Sequence, residues 1–170
     1  MDIILNRRSV REYNTSKKIP YEDLLKLCKY GEAAPSARNQ RGREYIIIDD
    51  EKIILELSKI SKGAMLLSRC NTVIAVIAKN SELLPTPHMQ CQDLACAVEN
   101  ILLAATQMGY GSCYIGISPL EERIQDCDQV LGLDNGNHVF ALIALGYPAV
   151  ETAFYEKEKF DEAMVHHNRY

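Results

Sequence analysis

The sequence predicts a mixed α+β fold, in which helices and strands follow one another without regular alternation. Apolar residues recur at helical spacing in several segments, and short runs rich in isoleucine, valine and tyrosine lie between them. The βαβ alternation of a doubly wound parallel sheet is missing from this order. With 170 residues, of which 47% are hydrophobic, the chain can bury a substantial core. We therefore expect residues 1–170 to form a single domain.

The N-terminal half predicts, in order, helix, helix, strand, helix and strand, over residues 2–8, 20–33, 44–49, 51–61 and 71–79. Asp2 suits the N-cap of the first helix, and Pro20 suits the first turn of the second. The two strands are runs of β-branched and aromatic residues, and the helix between them has its apolar residues on one face.

The C-terminal half predicts a helix, a strand, a helix, a strand and a polar tail, over residues 89–108, 110–118, 119–131, 138–145 and 150–170. Apolar residues cover more than one face of the first of these helices, so we expect it to be largely buried. Its small residues would permit close approach of another helix, from this or a second subunit. Gly109 suits its C-terminal end, and Asn135-Gly136-Asn137 predicts the turn before the last strand. The tail has a short helical pattern over residues 160–167.

Composition excludes several classes of function. The net charge of −4 argues against nonspecific binding of nucleic acid, which requires a basic surface. No apolar run approaches the 18 residues or so of a membrane span, and the apolar stretch before Arg7 is too short for a secretory signal. The six cysteines form no C-x-x-C pair and have no histidine at a ligand spacing. We therefore expect a cytoplasmic protein with reduced, mostly buried thiols, no membrane association and no metal site.

Three separated segments have the chemistry to bind one phosphate-bearing ligand. Arg7-Arg8-Ser9-Val10-Arg11 places three guanidinium groups and a hydroxyl within five residues, and guanidinium binds phosphate oxygens in a bidentate fork. Residues 34–40 (APSARNQ) form a loop with many neutral donors, and Lys157 and Lys159 supply cations near the C-terminus. A basic cluster alone is more often a solvated surface patch, but the three segments together favour an anion site.

The order of these segments resembles the short members of the nitroreductase family of flavin enzymes. The motif R-R-S-V-R-x-Y is followed by A-P-S-A-R-N-Q, M-G-Y-G-S-C-Y-I-G, G-Y-P and a tail that ends in H-H-N-R-Y. The resemblance covers nearly the whole chain and implies a mixed, largely antiparallel sheet flanked by helices in an intertwined homodimer. It also implies one FMN per active site at the subunit interface, and a C-terminal arm over residues 150–170 that packs on the partner.

The resemblance implies a role for individual residues in holding FMN. Arg7 corresponds to a phosphate ligand, Ser9 to a hydroxyl donor, and Arg11 to a cation near N1 and the C2 carbonyl of the isoalloxazine. Ile115 and Gly116 correspond to the segment whose backbone passes flavin N5. The other cofactor-binding positions that the resemblance implies are Arg8, Pro35, Ser36, Asn39, Lys157 and Lys159. Of these, Pro35, Ser36 and Asn39 would reach the flavin of the partner subunit.

Some of these positions have simpler interpretations. Arg8 is a candidate surface charge or partner of Glu12, and Glu12 is equally a candidate partner of Arg11. Ser9 is a candidate for a purely local hydrogen bond. Lys157 and Lys159 are candidate surface residues.

The implied reaction is hydride transfer from NADH or NADPH, through flavin N5, to a small electron-poor acceptor by a ping-pong cycle. The acceptor could be a nitro compound, a quinone or an activated alkene. The flavin carries this chemistry, so no catalytic acid, base or nucleophile is expected from the chain, and Arg11 and the Gly116 backbone give electrostatic support. The alternatives are a non-catalytic protein that binds or stores FMN, and a different flavin reaction on the same scaffold.

Two features depart from the family pattern. Arg41-Gly42-Arg43 stands where many relatives have proline and tryptophan, which places two cations beside the expected substrate channel. They favour an anionic substrate or the phosphates of NAD(P)H, or else they face solvent or bind acidic groups across the dimer. Between residues 51 and 69 there is no clear match to the asparagine that many relatives use on the flavin ring, so Lys62, Gly63 or a backbone group would replace it.

Overall fold

An antiparallel sheet lies at the centre of the molecule, and its strands, numbered along the chain, lie in the order first, second, fourth, third. The structure, a computed structural model, describes residues 2–157 and 160–170, and in these ranges it contains four strands and five α-helices. The strands are β1 (Arg43–Ile48), β2 (Thr72–Ala78), β3 (Gly111–Gly116) and β4 (His138–Gly146). The helices are α1 (Ile3–Asn6), α2 (Tyr21–Glu32), α3 (Glu51–Leu57), α4 (Gln90–Gln107) and α5 (Glu121–Leu131). The α+β class and the antiparallel sheet flanked by helices are confirmed.

Strand β2 is covered on both faces, because the sheet lies between two layers of helices. Val73 and Ala75 belong to the core cluster that includes residues of α3 and α5. Ile74 and Val76 belong to the cluster that includes residues of α2 and α4. Successive side chains of a strand point to opposite faces. The strand therefore reads as a continuous apolar run, as NTVIAVIAK predicts.

Helix α4 is buried on one side and exposed on the other. Its buried residues include Leu94, Ala97, Val98 and Ile101, which pack in the core. Cys91, Gln92, Ala95, Cys96 and Glu99 are exposed in the single chain. The prediction of a largely buried helix is thus correct for one face, and an exposed stripe containing small residues remains on the other.

The ends of several elements differ from the sequence prediction. Asp2 caps α1, since its side chain accepts bonds from the N–H groups of Ile4 and Leu5 at 3.0 and 3.2 Å. The helix ends at Asn6 rather than near Arg8, because the following residues extend toward the sheet. Helix α3 ends at Leu57 rather than near residue 61, and the helical pattern over 160–167 is one 3₁₀ turn, Glu162–Met164.

The cysteines are less buried than the sequence predicts. Cys70, Cys113 and Cys127 are buried, whereas Cys91 and Cys96 are exposed on α4. Burial raises the pKa of Cys70 to about 11 and that of Cys127 to about 12, which keeps both as thiols. Across the residues that the structure describes, no helix is both long and apolar enough to cross a bilayer.

Candidate active site

The segment that carries the arginines is held against the edge of the sheet by two isolated bridges. Ser9 forms a parallel bridge with Ser112 on β3, and Tyr13 forms an antiparallel bridge with Pro148, just beyond β4. The Val10 N–H donates to the Ser112 carbonyl at 2.9 Å. Residues 7–13 are therefore extended and fixed in register with the sheet.

Two glycines allow this segment to lie so close to the sheet. Gly111 and Gly146 face each other across β3 and β4. A Cβ atom on Gly111 would lie 2.8 Å from Val10 Cγ1, and one on Gly146 would lie 2.9 Å from Tyr13 Cδ1. Side chains at these positions would displace the segment, so the glycines are part of how the arginines are placed.

A cavity of about 750 Å³ opens beside the segment. The residues that line it come from two stretches of the chain, and they are Arg7, Arg8, Ser9, Val10, Arg11, Glu12, Val150, Thr152, Ala153, Tyr155 and Lys157. Four of these are cations, and Glu12, the carboxylate among them, is paired with Arg69. The cavity therefore has a strong positive bias in an acidic protein.

The three guanidinium groups have different partners. Arg7 Nε lies 3.1 Å from Glu99 Oε1 on α4. Arg8 lies over the ring of Tyr155, 4.8 Å from its centroid. Arg11 Nη1 donates to the Ser9 carbonyl at 3.1 Å. Glu12 as the partner of Arg8 or Arg11 is wrong, because it binds Arg69 instead.

An unpartnered polar atom indicates what the cavity can hold. Arg8 Nε is buried and has no hydrogen-bond partner in the described part of the chain. A buried N–H without an acceptor is unfavourable, and a cationic one most of all. The two Nη groups of Arg8 donate to the carbonyls of Arg7 and Leu5, at 2.5 and 2.7 Å. A phosphate group in the cavity would supply acceptor oxygens for the guanidinium groups that line it. The residues present thus fit the phosphate of FMN.

The positive field of this cluster extends to strand β3. Burial raises the pKa of Cys113, while Arg11, the Ser9 hydroxyl and Arg7 act in the opposite direction and reduce the rise. The cysteine side chain lies in the core rather than in the cavity. Cys113 is therefore affected by the nearby positive charges but is not part of the site.

The predicted N5 segment lies further along β3. Ile115 is buried with its side chain in the core, and Gly116 is half-buried at the end of the strand. Gly116 is four residues from Ser112, about 13 Å at the rise of a strand. Its carbonyl accepts a bond from Arg123 Nη1 at 3.2 Å. Neither residue lines the cavity itself.

The loop that contains Pro35, Ser36 and Asn39 lies elsewhere in the single chain. It packs against the first turns of α4, where Asp93 Oδ1 accepts a bond from the Ala37 N–H at 2.9 Å. None of its residues lines the cavity beside Arg7. Lys157 does line that cavity, and Lys159 lies outside the described residues.

The same loop has a strained backbone. The φ angles of Arg38, Asn39 and Arg41 are 50°, 55° and 46°, in the left-handed region. Each such residue costs on the order of 1–3 kcal/mol, with asparagine at the low end, and such strain is concentrated at functional sites.

Of the two arginines in Arg41-Gly42-Arg43, which departs from the family pattern, one points into the protein. The Arg43 side chain is only 1% exposed and is paired with Glu32 at 3.2 Å. It also donates to the carbonyls of Glu32 and Ala34, at 2.8 and 2.6 Å, where α2 ends. Arg43 as a channel or solvent cation is therefore wrong, while Arg41 is exposed. Lys62 and Gly63 are exposed and lie outside the cavity.

Several residues of the site are absent from the sequence prediction. Tyr155 lies against Arg8, Glu99 pairs with Arg7, and Asp93 holds the strained loop. Tyr155 stands two residues before Lys157, which is the signal that could have found it. The contacts of Glu99 and Asp93 are long-range and leave no signal in the sequence.

The fold and the cavity together define an α+β protein with a cationic site beside an antiparallel sheet. Comparison with known proteins identifies the family. The sequence profile of the nitroreductase family matches residues 4–69 and 67–147. The chain belongs to the nitroreductase family, which confirms the resemblance and makes the protein an oxidoreductase.

Individual relatives support this assignment over almost the full length of the chain. A provisionally named NADH dehydrogenase/NAD(P)H nitroreductase of Archaeoglobus fulgidus is 34% identical, over 100% of this chain and 98% of the relative. The crystal structure of a provisionally named NADH oxidase from Clostridium acetobutylicum is 36% identical, with a TM-score of 0.92 over 99% of this chain and 100% of that one. An FMN-dependent nitroreductase from Clostridium difficile is 26% identical, with a TM-score of 0.89 over 99% and 98%.

Proposed function

We propose that the chain binds FMN with its phosphate in the cationic cavity and acts as an NAD(P)H oxidoreductase. In this proposal NADH or NADPH reduces the flavin, and an electron-poor acceptor such as a nitro compound, a quinone or an activated alkene then takes the hydride from N5. FMN supplies that redox chemistry when it is bound. The chain supplies binding, orientation and charge.

The observation that carries the proposal is the set of four cations around one cavity, with Arg8 Nε buried and unpartnered. Arg7, Arg8 and Lys157 would bind the phosphate, and Ser9 would donate to it or to the ribityl chain. Arg11 would add its positive charge to the same cavity. Relatives support the cofactor, since the nitroreductase from Clostridium difficile is described as FMN-dependent.

We further propose that the active site is completed in a homodimer. The loop with Pro35, Ser36 and Asn39 lies away from the cavity of its own chain, so these residues would reach the flavin of the partner. Ile115 and the backbone of Gly116 would lie beside the ring. The first part of the C-terminal arm lines the cavity in its own chain, through Val150, Thr152, Ala153, Tyr155 and Lys157. The later part of the arm over residues 150–170 would pack on the partner.

The first experiment is the visible absorption spectrum of the purified protein, which shows the flavin band if FMN is bound. Replacement of Arg7 by alanine should then weaken FMN binding roughly 10- to 150-fold, because a charge-assisted hydrogen bond contributes about 1.5–3 kcal/mol. The matched control is Lys52→Ala, at an exposed cation on α3. Calorimetric titration of the apoprotein with FMN measures both variants.

Equal FMN dissociation constants for the two variants would refute the phosphate assignment. Steady-state oxidation of NADH and NADPH with menadione or a nitrofuran then separates an enzyme from a storage protein. A flavin band without turnover would favour storage.

A further inference from the structure

The strained loop over residues 36–41 is held in place by hydrogen bonds to Asp93 on α4 and to Thr86. Asp93, which is 8% exposed, accepts from the Ala37 N–H at 2.9 Å and from Gln40 Nε2 at 2.6 Å. The other side-chain atom of Gln40, Oε1, accepts from the N–H and the hydroxyl of Thr86, at 3.1 and 2.8 Å. Each side-chain oxygen and nitrogen of Asp93 and Gln40 therefore has a hydrogen-bond partner, which fixes the orientation of both side chains.

These contacts hold the backbone where it would not remain by itself. Arg38, Asn39 and Arg41 have positive φ angles, and Gln40 between them points inward to Asp93. The Arg41 N–H donates to Ser36 Oγ at 3.2 Å, which closes the loop on itself. A strained segment persists only when its surroundings over-determine it. Asp93 provides two of the hydrogen bonds that fix this loop, to Ala37 and to Gln40.

The loop presents an amide and two guanidinium groups to the outside. Arg38, Asn39 and Arg41 are all exposed, and Arg41 Nε donates to Asn39 Oδ1 at 3.1 Å. Within residues 2–157 and 160–170, neither guanidinium group forms an ion pair with a carboxylate. The nearby carboxylate of Asp93 is occupied by Ala37 and Gln40. The loop thus carries two uncompensated charges on a fixed backbone.

We propose that residues 36–41 form a preorganised anion-binding element, in which Arg41 and Arg38 bind a phosphate or carboxylate group of the electron donor or acceptor. Asp93 is its positioning residue, although it does not touch the ligand. The inference rests on the proposed function, because the element lies beside a flavin only in the proposed dimer. Two sources have this chemistry, the 2′-phosphate of NADPH and the carboxylate of an acidic acceptor.

The first experiment separates these sources in the FMN-loaded protein. Arg41→Gln is compared with Lys52→Gln, at the exposed cation on α3. If the element binds the 2′-phosphate, Arg41→Gln raises KM for NADPH roughly tenfold and leaves KM for NADH unchanged. If it binds an acceptor carboxylate, the same variant raises KM for 4-nitrobenzoate and not for 4-nitrobenzyl alcohol. Unchanged KM values for all four compounds would overturn the proposal.

The second experiment tests the positioning role by exchanging the two sides of the clamp. Asp93→Asn places an amide against the Gln40 amide, and Gln40→Glu places a carboxylate against Asp93. In the double variant the new amide at position 93 again accepts from the Ala37 N–H and donates to the new carboxylate at position 40, which in turn accepts from Thr86. The single variants should raise the same KM as Arg41→Gln and speed amide hydrogen exchange in residues 36–41, and the double variant should reverse both effects.

Hydrogen exchange needs no turnover, so it also distinguishes failure of this inference from failure of the proposed function. Absence of a flavin band and of NAD(P)H oxidation in the wild type would remove the proposed function, and the proposed ligand with it. A flavin-loaded, active wild type whose single variants exchange and turn over like the parent would overturn the role of Asp93 alone. Single variants that remain impaired in the double variant would also overturn it.

Discussion

Arg7 and Arg11 share one cavity, but they differ in how much of their charge is neutralised. Arg7 pairs with a carboxylate, Glu99, at 3.1 Å. Arg11 is exposed and bonds to a neutral carbonyl, that of Ser9, in its own segment. Burial raises the pKa of Cys113 on β3, and the positive charge of Arg11 acts against that rise. Of the two residues, Arg11 therefore keeps more of its positive charge uncompensated beside the cavity.

We predict that Arg11→Gln lowers the midpoint potential of the bound flavin and slows its reduction by NAD(P)H. Two-electron reduction places negative charge on the ring, and a nearby cation stabilises that charge. A shift on the order of 30 mV corresponds to about 1.4 kcal/mol, which one close cation can supply in a partly desolvated site. Potentiometric titration measures it. Arg8→Gln should change the potential less, and an unchanged midpoint for Arg11→Gln would end this electrostatic role.

Among individual residues, the sequence predicts site residues that are contiguous in the chain. It does not predict those that only folding brings into contact. Arg7, Ser9 and Arg11 were predictable because they are contiguous and chemically distinctive. The burial of Arg43 was not, because its acceptors are the carbonyls at the end of α2. The clamp formed by Asp93 was likewise hidden, since its partners lie more than fifty residues away.

Among the elements, strands β3 and β4 determine where the arginine segment lies. Val10 occupies the space that a side chain on Gly111 would fill, with Cγ1 2.8 Å from the missing Cβ. Ser9 and Ser112 bridge immediately beside this contact. A change at Gly111 should therefore move the neighbouring guanidinium groups without touching them.

We predict that Gly111→Ala destabilises the fold by about 1–3 kcal/mol, as overpacking typically does, and weakens FMN binding in the remaining folded protein. The control is Gly63→Ala, where an added Cβ meets only Ser61 Oγ at 3.8 Å and φ is −70°. That change should be neutral or stabilising, since it restricts the unfolded chain. Urea denaturation and FMN titration measure the two effects. Equal stability and affinity for both variants would show that the segment is not held by this contact.

The kinds of element and their order were predictable from periodicity, but several ends were not. Residues 71–79 read as a buried strand because β2 is covered on both faces. The pattern after Asn6 still permits helix, and the bridge of Ser9 to β3 ends it earlier. The local sequence contains the helical propensity of this segment but not its pairing with β3, so the end of the helix could not be predicted from it.

The molecule as a whole has more surface than a monomer of its size normally exposes. The chain of 19.2 kDa has an accessible surface of 10386 Å². A folded monomer of that mass typically has about 8,400 Å². Part of the excess is apolar, with the side chains of Ile4 and Phe160 68% and 71% exposed. We therefore expect part of this surface to lie in an interface between subunits, and a stable interface buries more than about 1,000 Å² in total.

The exposed stripe of α4 is a natural centre for such an interface. Ala95 and Cys96 are small, so another helix can approach closely there, and α1 packs beside α4 with Ile4 and Leu5 exposed. Glu99, on the same helix, also binds Arg7 at the cavity. An interface on this stripe would therefore lie next to the proposed phosphate site.

We predict that the protein is a homodimer at micromolar concentration and that Ala95→Arg separates it into monomers with at least tenfold weaker FMN binding. A long charged side chain at this position would keep the helices apart and would be costly to desolvate. The matched control is Glu56→Arg on the exposed side of α3, which should leave the dimer and its flavin intact. Sedimentation velocity monitored at the flavin band follows mass and cofactor together. A wild-type monomer that carries FMN would contradict the shared site, and a flavin-loaded Ala95→Arg dimer would place the interface on another face.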